Sequence, residues 1–202
     1  MGHREDLLEG AKRCLLEKGF ARTTARDIVR ESGTNLASIG YHYGSKDALL
    51  VQAYVALVEE WGDRFHPGAD GPSMTPARSL DRFREVWTSV TDSLPESRAV
   101  WLLSFEIVLL GDRMPEVRRL LAEAQEASRS GLIPLFTDVP EPDLDKAVVD
   151  TEGRFYLTLL QGLMLQWIFD PGTATDAAQL TDGLRRVLEG ARGTEAGARE
   201  AE

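Results

Sequence analysis

Apolar residues recur at helical spacing along almost the whole chain, and this periodicity restricts the fold more than any other feature of the sequence. The first helix has a stripe of four such residues: Leu7, Leu8, Ala11 and Leu15. Gly19 closes that helix, and Gly33 closes a second one that contains Ile28 and Val29. Almost no segment alternates polar and apolar residues as a strand does. The sequence therefore predicts an all-α fold.

Polar residues mark where the next helices begin. Thr24 and Asp27 form a capping box at the start of the second helix, because their side chains can bond its free amides. Asn35 is a suitable N-cap for a short third helix. Ser45 is a suitable N-cap for a fourth helix, which runs through Trp61. The first 66 residues are therefore predicted to be two helices, a tight turn, a short helix and a long helix.

Proline and glycine divide the remainder into five more segments of helical period. These are residues 76–94, 96–110, 115–133, 143–169 and 175–192. We predict about nine helices in two domains. The predicted parts are a first domain at 1–45, a second domain at 46–194 whose helix 46–66 connects the two, and a disordered tail at 195–202.

The charge of the chain is unevenly distributed. The formal net charge is −10, but residues 1–50 hold eight Lys or Arg against seven acidic residues. Such a distribution suggests that one part of the molecule tolerates anions and the other does not.

We expect a cytoplasmic protein that does not enter a membrane. The beginning of the chain is charged where a signal peptide would be apolar, and no run approaches the length of a membrane span. Cys14, the single cysteine, cannot form an intramolecular disulfide and is interpreted as a buried thiol rather than a redox sensor.

Enzyme activity is not expected. The three histidines, His3, His42 and His66, lie in a chain end, the third helix and a linker. No spacing of His, Cys or acidic residues suggests a metal site, and no free histidine is available for a catalytic triad. We predict no cofactor and no metal.

The short third helix has two different faces. The predicted inward face holds Leu36, Ile39 and Tyr43, and the outward face holds Thr34, Ala37, Ser38 and Tyr41. A small, polar outward face after a tight turn at Gly33 is typical of a helix-turn-helix, whose second helix enters the DNA major groove. Lys46 adds a cation beside the free amides of the fourth helix, which suits a phosphate.

The stretch TTARDIVRESGTNLASIGYHYGSKDALL, residues 23–50, resembles the DNA-binding signature of the TetR family of transcriptional regulators. The resemblance implies a helical C-terminal domain that binds ligands and dimerises. It also implies repression more than activation. One position departs from the family pattern, because Gly40 stands where the family often has a tyrosine that contacts phosphate. That contact passes at best to Tyr41, or is lost.

The candidate DNA contacts lie between the second helix and the start of the fourth. They are Thr23, Thr24, Arg26, Asn35, Ala37, Ser38, Tyr41, His42 and Lys46. Asn and Ser can bond base edges, whereas Lys and Tyr suit phosphates. Other roles remain open for several of them. In these alternatives the two threonines are caps and nothing more, and the arginines form a solvated helix face. Tyr41 then covers the helix end, and His42 packs between helices.

The partner predicted for the C-terminal helices is a second copy of the chain. Residues 157–169 are apolar on nearly all sides and so need cover on two sides. The candidate dimerisation residues are Leu160, Gly162, Leu163, Leu180, Leu184 and Leu188. Alternatively, both stripes complete the core of a monomer. As a homodimer, the protein would bind a palindromic double-stranded DNA operator.

Aromatic rings in the middle helices suggest a site for a small, apolar or aromatic effector. The candidate lining is Phe83, Trp87, Trp101, Phe105, Met114, Phe155, Met164 and Trp167. Glu106 interrupts an apolar run, so we expect it to pair with Arg84 or Arg118, or else to meet a ligand. The alternative is a solid core. The protein would then be a ligand-independent repressor or an architectural DNA-binding protein.

Overall fold

The computed structural model describes residues 2–65, 75–111 and 114–199, and these residues form helices and no strand. The predicted all-α class is confirmed. The helices are α1 His3–Lys18, α2 Ala25–Ser32, α3 Leu36–Tyr43, α4 Lys46–Gly62, α5 Leu80–Gly111, α6 Pro115–Thr137, α7 Lys146–Val148, α8 Arg154–Phe169 and α9 Ala177–Arg199. A π-helical turn, Val149–Gly153, joins α7 to α8. No helix of the described residues is both long and apolar enough to cross a membrane.

The chain forms two compact units, which differ from the predicted domains at 1–45 and 46–194. The first unit comprises Met1–Arg64 and Pro95–Ser130, and the second comprises Phe65–Leu94 and Gly131–Glu202. Within the first unit, α1 packs against α4 as well as α2. The shared core places Leu7 and Leu15 of α1 with Leu49 of α4.

Two prolines that were predicted to end helices lie inside them instead. The helix α5 continues through Pro95, where the sequence predicts two helices at 76–94 and 96–110. The helix α6 passes Pro134, although its end was predicted at 133. A proline removes one backbone hydrogen bond at a cost of about 3 kcal/mol. Buried apolar residues on both sides of Pro95, including Leu94 and Trp101, favour continuation of the helix.

The helix α9 also extends further than its sequence predicts. Helical structure was predicted to stop near 192 and a disordered tail to begin at 195, but α9 is described to Arg199. Residues 200–202 lie outside the described part of the chain, as do residues 66–74 of the predicted linker.

The core of the second unit is aromatic. The rings of Phe136 and Tyr156 stack with centroids 3.9 Å apart, and the rings of Phe83 and Trp87 lie within 6.0 Å of Phe136. The buried Arg82 guanidinium donates to the Thr75 carbonyl at 2.7 Å and to the Asp138 carboxylate at 3.0 Å. The Arg82 charge is therefore bonded and paired within its own unit.

Candidate nucleic-acid interface and ligand cleft

The turn between α2 and α3 is built by the caps that the sequence predicts. Asp27 N–H donates to the Thr24 hydroxyl at 3.2 Å, and the Asp27 carboxylate accepts from Thr24 N–H at 3.0 Å. Gly33 follows with φ +68°, a left-handed conformation that favours glycine. Asn35 then caps α3 by accepting from Ser38 N–H at 3.1 Å. The predicted capping box and both N-caps are confirmed.

The helix α3 presents the predicted outward face. Ala37 and Tyr41 are exposed, with Tyr41 85% exposed, while Ile39 and Tyr43 are buried. Tyr43 also donates its hydroxyl to the Arg4 carbonyl at 2.7 Å, which ties α3 to α1. The inward position predicted for Leu36 is wrong, because this side chain is 52% exposed. Leu36 is the first residue of α3. Helical periodicity predicts the side of the helix on which its side chain lies, but at the first position no preceding helical turn packs against that side chain.

Thr23 is the one predicted DNA contact whose side chain the protein itself encloses. It is 1% exposed, and its hydroxyl donates to the Gly19 carbonyl at 2.7 Å and lies 3.2 Å from the Cys14 carbonyl. The hydroxyl therefore closes the turn between α1 and α2 and is not exposed to meet DNA. Cys14 is buried as expected, and burial raises the pKa of its thiol.

Two other predicted contacts, Arg26 and His42, differ in their exposure. The Arg26 side chain is exposed and has no hydrogen bond or ion pair within the described residues. The His42 ring is half-buried and meets the Tyr41 ring edge-on at 4.8 Å. Arg26 therefore remains available for a phosphate, whereas His42 supports Tyr41.

Lys46 lies where the turn after α1 meets the start of α4. Its ammonium donates to the Thr23 carbonyl at 3.2 Å, pairs with Asp47 at 2.9 Å, and lies 5.8 Å from the centre of the Phe20 ring. A lysine ammonium has three donors. One N–H therefore remains for a phosphate, beside the α4 N-terminus that Ser45 caps through Ala48 N–H.

Asp27 carries the largest electrostatic perturbation of this region. Lys18 donates to its carboxylate at 2.6 Å and the Thr24 hydroxyl donates at 2.6 Å. The Lys18 bond first, and then the two Thr24 bonds, hold the pKa of the Asp27 carboxyl far below its usual range. The carboxylate is therefore fully ionised at neutral pH and fixes the start of α2.

Glu106 has partners that the sequence did not suggest. Its two carboxylate oxygens accept from Phe20 N–H at 3.0 Å and Ala21 N–H at 2.8 Å. The predicted pairing with Arg84 or Arg118 is wrong. Arg84 instead lies 3.4 Å from Asp182. Because the two amides are 86 and 85 positions away, no local pattern could have revealed this contact.

A cleft of about 630 Å³ opens in the second unit. Two of the predicted ligand-binding residues, Phe83 and Phe155, line it. The sequence analysis missed the other two rings of its wall, Phe136 and Tyr156, and the ion pair of Arg78 with Glu152 at 2.9 Å. The α9 wall consists of Leu184, Arg185, Leu188, Glu189 and Arg192.

The remaining residues of the predicted lining lie in both units. Trp101, Phe105 and Met114 belong to the first unit, where the Trp101 ring packs edge-on against Trp61 at 4.6 Å. Trp87, Met164 and Trp167 belong to the second unit but do not line its cleft. Residues one turn apart along α5 were grouped together, although α5 contributes one half to each unit.

The dimerisation stripe also needs correction. Leu160 and Leu163 are only 6% and 3% exposed, so they belong to the core of their own unit. The apolar side chains left exposed on α8 and α9 are Phe155, Leu165, Phe169, Val187 and Leu188. Gly162 has open space where a Cβ would stand, whereas Leu180 and Leu184 are half-buried. The uncovered face thus includes Gly162 and Leu188 but is centred on other residues than predicted.

No group of three or more His, Cys, Asp or Glu side chains is placed to hold a metal ion within residues 2–65, 75–111 and 114–199. The charged groups of the cleft are two Glu and three Arg. They can bond or pair with a ligand.

Comparison with known proteins agrees with this geometry. Residues 7–53 match the family model of bacterial regulatory proteins, tetR family, and residues 79–193 match that of the BetI-type transcriptional repressor C-terminal domain. The regulator BetI of Agrobacterium fabrum is 28% identical over 163 residues, which cover 81% of this chain and 75% of BetI. PksA of Bacillus subtilis, also a transcriptional regulator, is 25% identical over 170 residues, covering 83% and 80%.

Solved structures share the fold. The crystal structure of SCO7518 from Streptomyces coelicolor A3(2) superposes with a TM-score of 0.66 at 24% identity, covering 93% of this chain and 98% of that one. The multidrug binding protein EbrR, complexed with imidazole, superposes with a TM-score of 0.64 at 24% identity, covering 91% and 88%. These similarities extend over both units.

Proposed function

Because the chain belongs to the TetR family and is a DNA-binding transcriptional regulator of that type, we propose that it is a homodimeric repressor released by a small effector. Its two α3 helices bind successive major grooves of a palindromic operator, about 34 to 36 Å apart. The regulator acts in the cytoplasm. An apolar or aromatic effector binds the cleft of the second unit.

The observation that carries this proposal is the exposed face of α3. Its outward side chains are small or polar, its N-cap Asn35 stands at the leading end, and Tyr41 projects from it. Small residues let a backbone approach base edges, and the Asn side chain can bond them. The match of residues 79–193 to a repressor C-terminal model supports repression rather than activation.

A duplex selected from a random-sequence library with the wild-type protein tests operator binding. A near-palindromic sequence bound by two chains is expected. Asn35→Ala and Ser38→Ala should then change which bases are preferred, because these residues are assigned to base edges. Equal binding of all duplexes, unaffected by small molecules, would favour the architectural alternative.

The exposed apolar face of α8 and α9 supports dimerisation. Leu165, Phe169 and Val187 are exposed apolar side chains on these two helices. Isologous contacts of such a face produce a two-fold dimer. In analytical ultracentrifugation at micromolar concentration the wild type should sediment as a dimer, and Val187→Glu should shift it towards monomer. Ala178→Glu is the matched control, since Ala178 is also exposed on α9 but nine residues away and thus on its opposite side.

The cleft supports an aromatic effector with a polar group. Its wall offers the rings of Phe83, Phe136 and Tyr156, while the Arg78–Glu152 pair offers charges of both signs. EbrR, which shares the fold, is a multidrug binding protein with structures in complex with proflavin and ethidium. These are observations about EbrR, and they support the suitability of the fold for planar ligands.

Release follows if the effector prefers a conformation in which the two recognition helices no longer match successive grooves. A ligand shifts such an equilibrium only by its difference in affinity for the two states. By linkage, the effector must also bind the free dimer more tightly than the operator complex.

A screen of apolar and aromatic compounds for increased Tm and operator release tests this step. Phe155→Ala should abolish the response to a hit with little loss of stability, because Phe155 is 44% exposed and lines the cleft. Leu109→Ala is the control, as Leu109 is exposed in the first unit. If no compound raises Tm or releases operator, a ligand-independent repressor is the better conclusion.

A further inference from the structure

Glu106 holds the turn that leads into the helix-turn-helix. Its side chain comes from α5, and its oxygens accept from the amides of Phe20 and Ala21, which follow α1. Within the described residues Glu106 forms no ion pair with a basic side chain. A carboxylate that accepts two backbone N–H bonds makes strong, charge-assisted contacts with defined geometry. This contact therefore specifies where the turn lies relative to α5 in the first unit.

The turn is shaped to receive that carboxylate. Gly19 has φ +79°, and a Cβ built on it would lie 2.8 Å from a Glu106 oxygen. A side chain at position 19 would thus meet both backbone strain and the carboxylate. Glycine allows the α1 end and the Glu106 side chain to approach closely.

The same turn positions two candidate DNA contacts, Lys46 and Thr24. The Thr23 carbonyl accepts from the Lys46 ammonium at 3.2 Å, and the next residue, Thr24, is the N-cap of α2. A displacement of residues 19–24 would therefore move Lys46 and the start of α2. Because α2 leads through Gly33 into α3, the recognition helix would move with them.

We propose that Glu106 is a positioning residue for operator binding, whose carboxylate on α5 fixes the Gly19–Thr24 turn and thereby orients α2, Lys46 and the recognition helix. This inference rests on the proposed operator binding. The net charge of the chain allows a positioning effect of Glu106 to be distinguished from the effect of its charge alone. Removing an acidic charge from a protein of net charge −10 should favour DNA binding, whereas loss of a positioning contact should weaken it.

The test compares Glu106→Ala and Glu106→Gln with wild type on the operator selected with the wild-type protein. Fluorescence anisotropy would measure affinity at several salt concentrations, with the active fraction fixed by stoichiometric titration. We expect Glu106→Ala to bind about tenfold more weakly, with a shallower salt slope, because misplaced cations release fewer counterions. Glu106→Gln keeps one acceptor but places an NH₂ group near the second amide, so its loss should be smaller than that of Glu106→Ala.

Glu17→Gln is the matched control. Glu17 is an exposed acid on α1 close to the same turn, and it has no hydrogen bond or ion pair within the described residues. Its variant should bind as tightly as wild type or slightly more tightly. If circular dichroism shows that Glu106→Ala does not fold, Glu106→Gln is compared with wild type in its place.

Gly19→Ala provides an independent arm. A methyl at position 19 displaces the carboxylate, so its effect on operator affinity should be smaller in the Glu106→Ala background than in wild type. Additive effects, or Glu106 variants that bind as tightly as wild type with the same slope, would overturn the proposal while leaving operator binding intact. A wild-type protein that selects no duplex would instead contradict the proposed function.

Discussion

The two units stabilise their key features by different kinds of contact. In the first unit, polar side chains bond backbone atoms of other segments: Glu106 accepts from the amides of Phe20 and Ala21, and Tyr43 donates to the Arg4 carbonyl. Such bonds are directional, and they weaken steeply when their angles change. They suit a surface whose side chains must meet base edges with little tolerance.

The second unit relies on rings instead. Phe83, Trp87, Phe136 and Tyr156 pack with centroids 3.9 to 6.0 Å apart, and a cleft of about 630 Å³ lies beside them. Dispersion and hydrophobic contacts have little directional preference, so ring walls can adapt to ligands of different shape. The comparison suggests that one chain separates a surface requiring fixed geometry from a cleft that tolerates variation.

The largest expected effect concerns the ring core of the second unit. Trp87 is fully buried, and its ring lies 5.9 Å from Phe83 and 5.8 Å from Phe136. Trp87→Ala should lower the free energy of unfolding by roughly 3–5 kcal/mol, as expected for a buried aromatic residue. Urea denaturation followed by circular dichroism measures it. Phe155→Ala, at the exposed wall, should cost far less, and equal losses would contradict the distinction between core and cleft.

The next effect tests whether the polar contacts of the first unit serve DNA binding. Lys46→Ala should weaken operator and unrelated duplexes alike by about tenfold and reduce the salt slope by about 1, since it removes a phosphate contact. Anisotropy titrations at several salt concentrations measure both quantities. Lys146→Ala is the control, because Lys146 is exposed in the second unit and pairs with Asp150. Unchanged binding of Lys46→Ala at physiological salt would remove Lys46 from the interface.

A substitution at Gly40 should have a smaller effect of opposite sign, because it should stabilise the protein. Gly40 lies inside α3, is exposed, and a Cβ there would meet nothing within 4 Å. Gly40→Ala should therefore stabilise the protein by roughly 0.5–1 kcal/mol, the usual advantage of Ala over Gly within a helix. Gly33→Ala should destabilise it, because Gly33 has φ +68°. Thermal unfolding compares the two variants, and changes of the same sign would contradict the assignment.

Gly40 also stands where the family often has a tyrosine that contacts phosphate, so the same position tests that contact. Gly40→Tyr should strengthen operator binding, since the side chain would extend into open space on the outward face of α3. Gly40→Phe is the matched control without a hydroxyl. If both variants bind equally, a phosphate contact by the tyrosine hydroxyl is contradicted.

Local signals predicted the caps and the helix-turn-helix, because a cap and its amide are neighbours in the sequence. Thr24, Asn35 and Ser45 were all assigned correctly for this reason. Burial at a helix end is less predictable, and Leu36 was misplaced since the first turn of α3 lacks cover.

Contacts between distant segments could not be predicted. Glu106 bonds amides 86 and 85 positions away, and helical periodicity carries no information on such a partner. Phe136 and Tyr156 come from different helices, so their stacking was missed. The proline at 95 was assigned as a break because its local cost is visible in the sequence, whereas the packing that offsets it is not.

The last effect depends on pH and concerns the start of α2. Bonds from Lys18 and Thr24 lower the pKa of the Asp27 carboxyl in the folded protein, while in the unfolded chain it should be near 3.9. A lowered folded-state pKa means that the stabilisation is complete above about pH 3.9 and is lost progressively as the pH falls below it. Asp27→Asn should thus destabilise the protein at pH 7, and its difference from wild type should shrink towards pH 3. Urea midpoints at pH 7, 5, 4 and 3 measure this, with Asp92→Asn, an exposed acid without a partner among the described residues, as the control. If the difference in stability between Asp27→Asn and wild type stays constant from pH 7 to 3, the charge of Asp27 does not contribute to stability. The bonds from Lys18 and Thr24 would then stabilise the start of α2 without an ionic contribution.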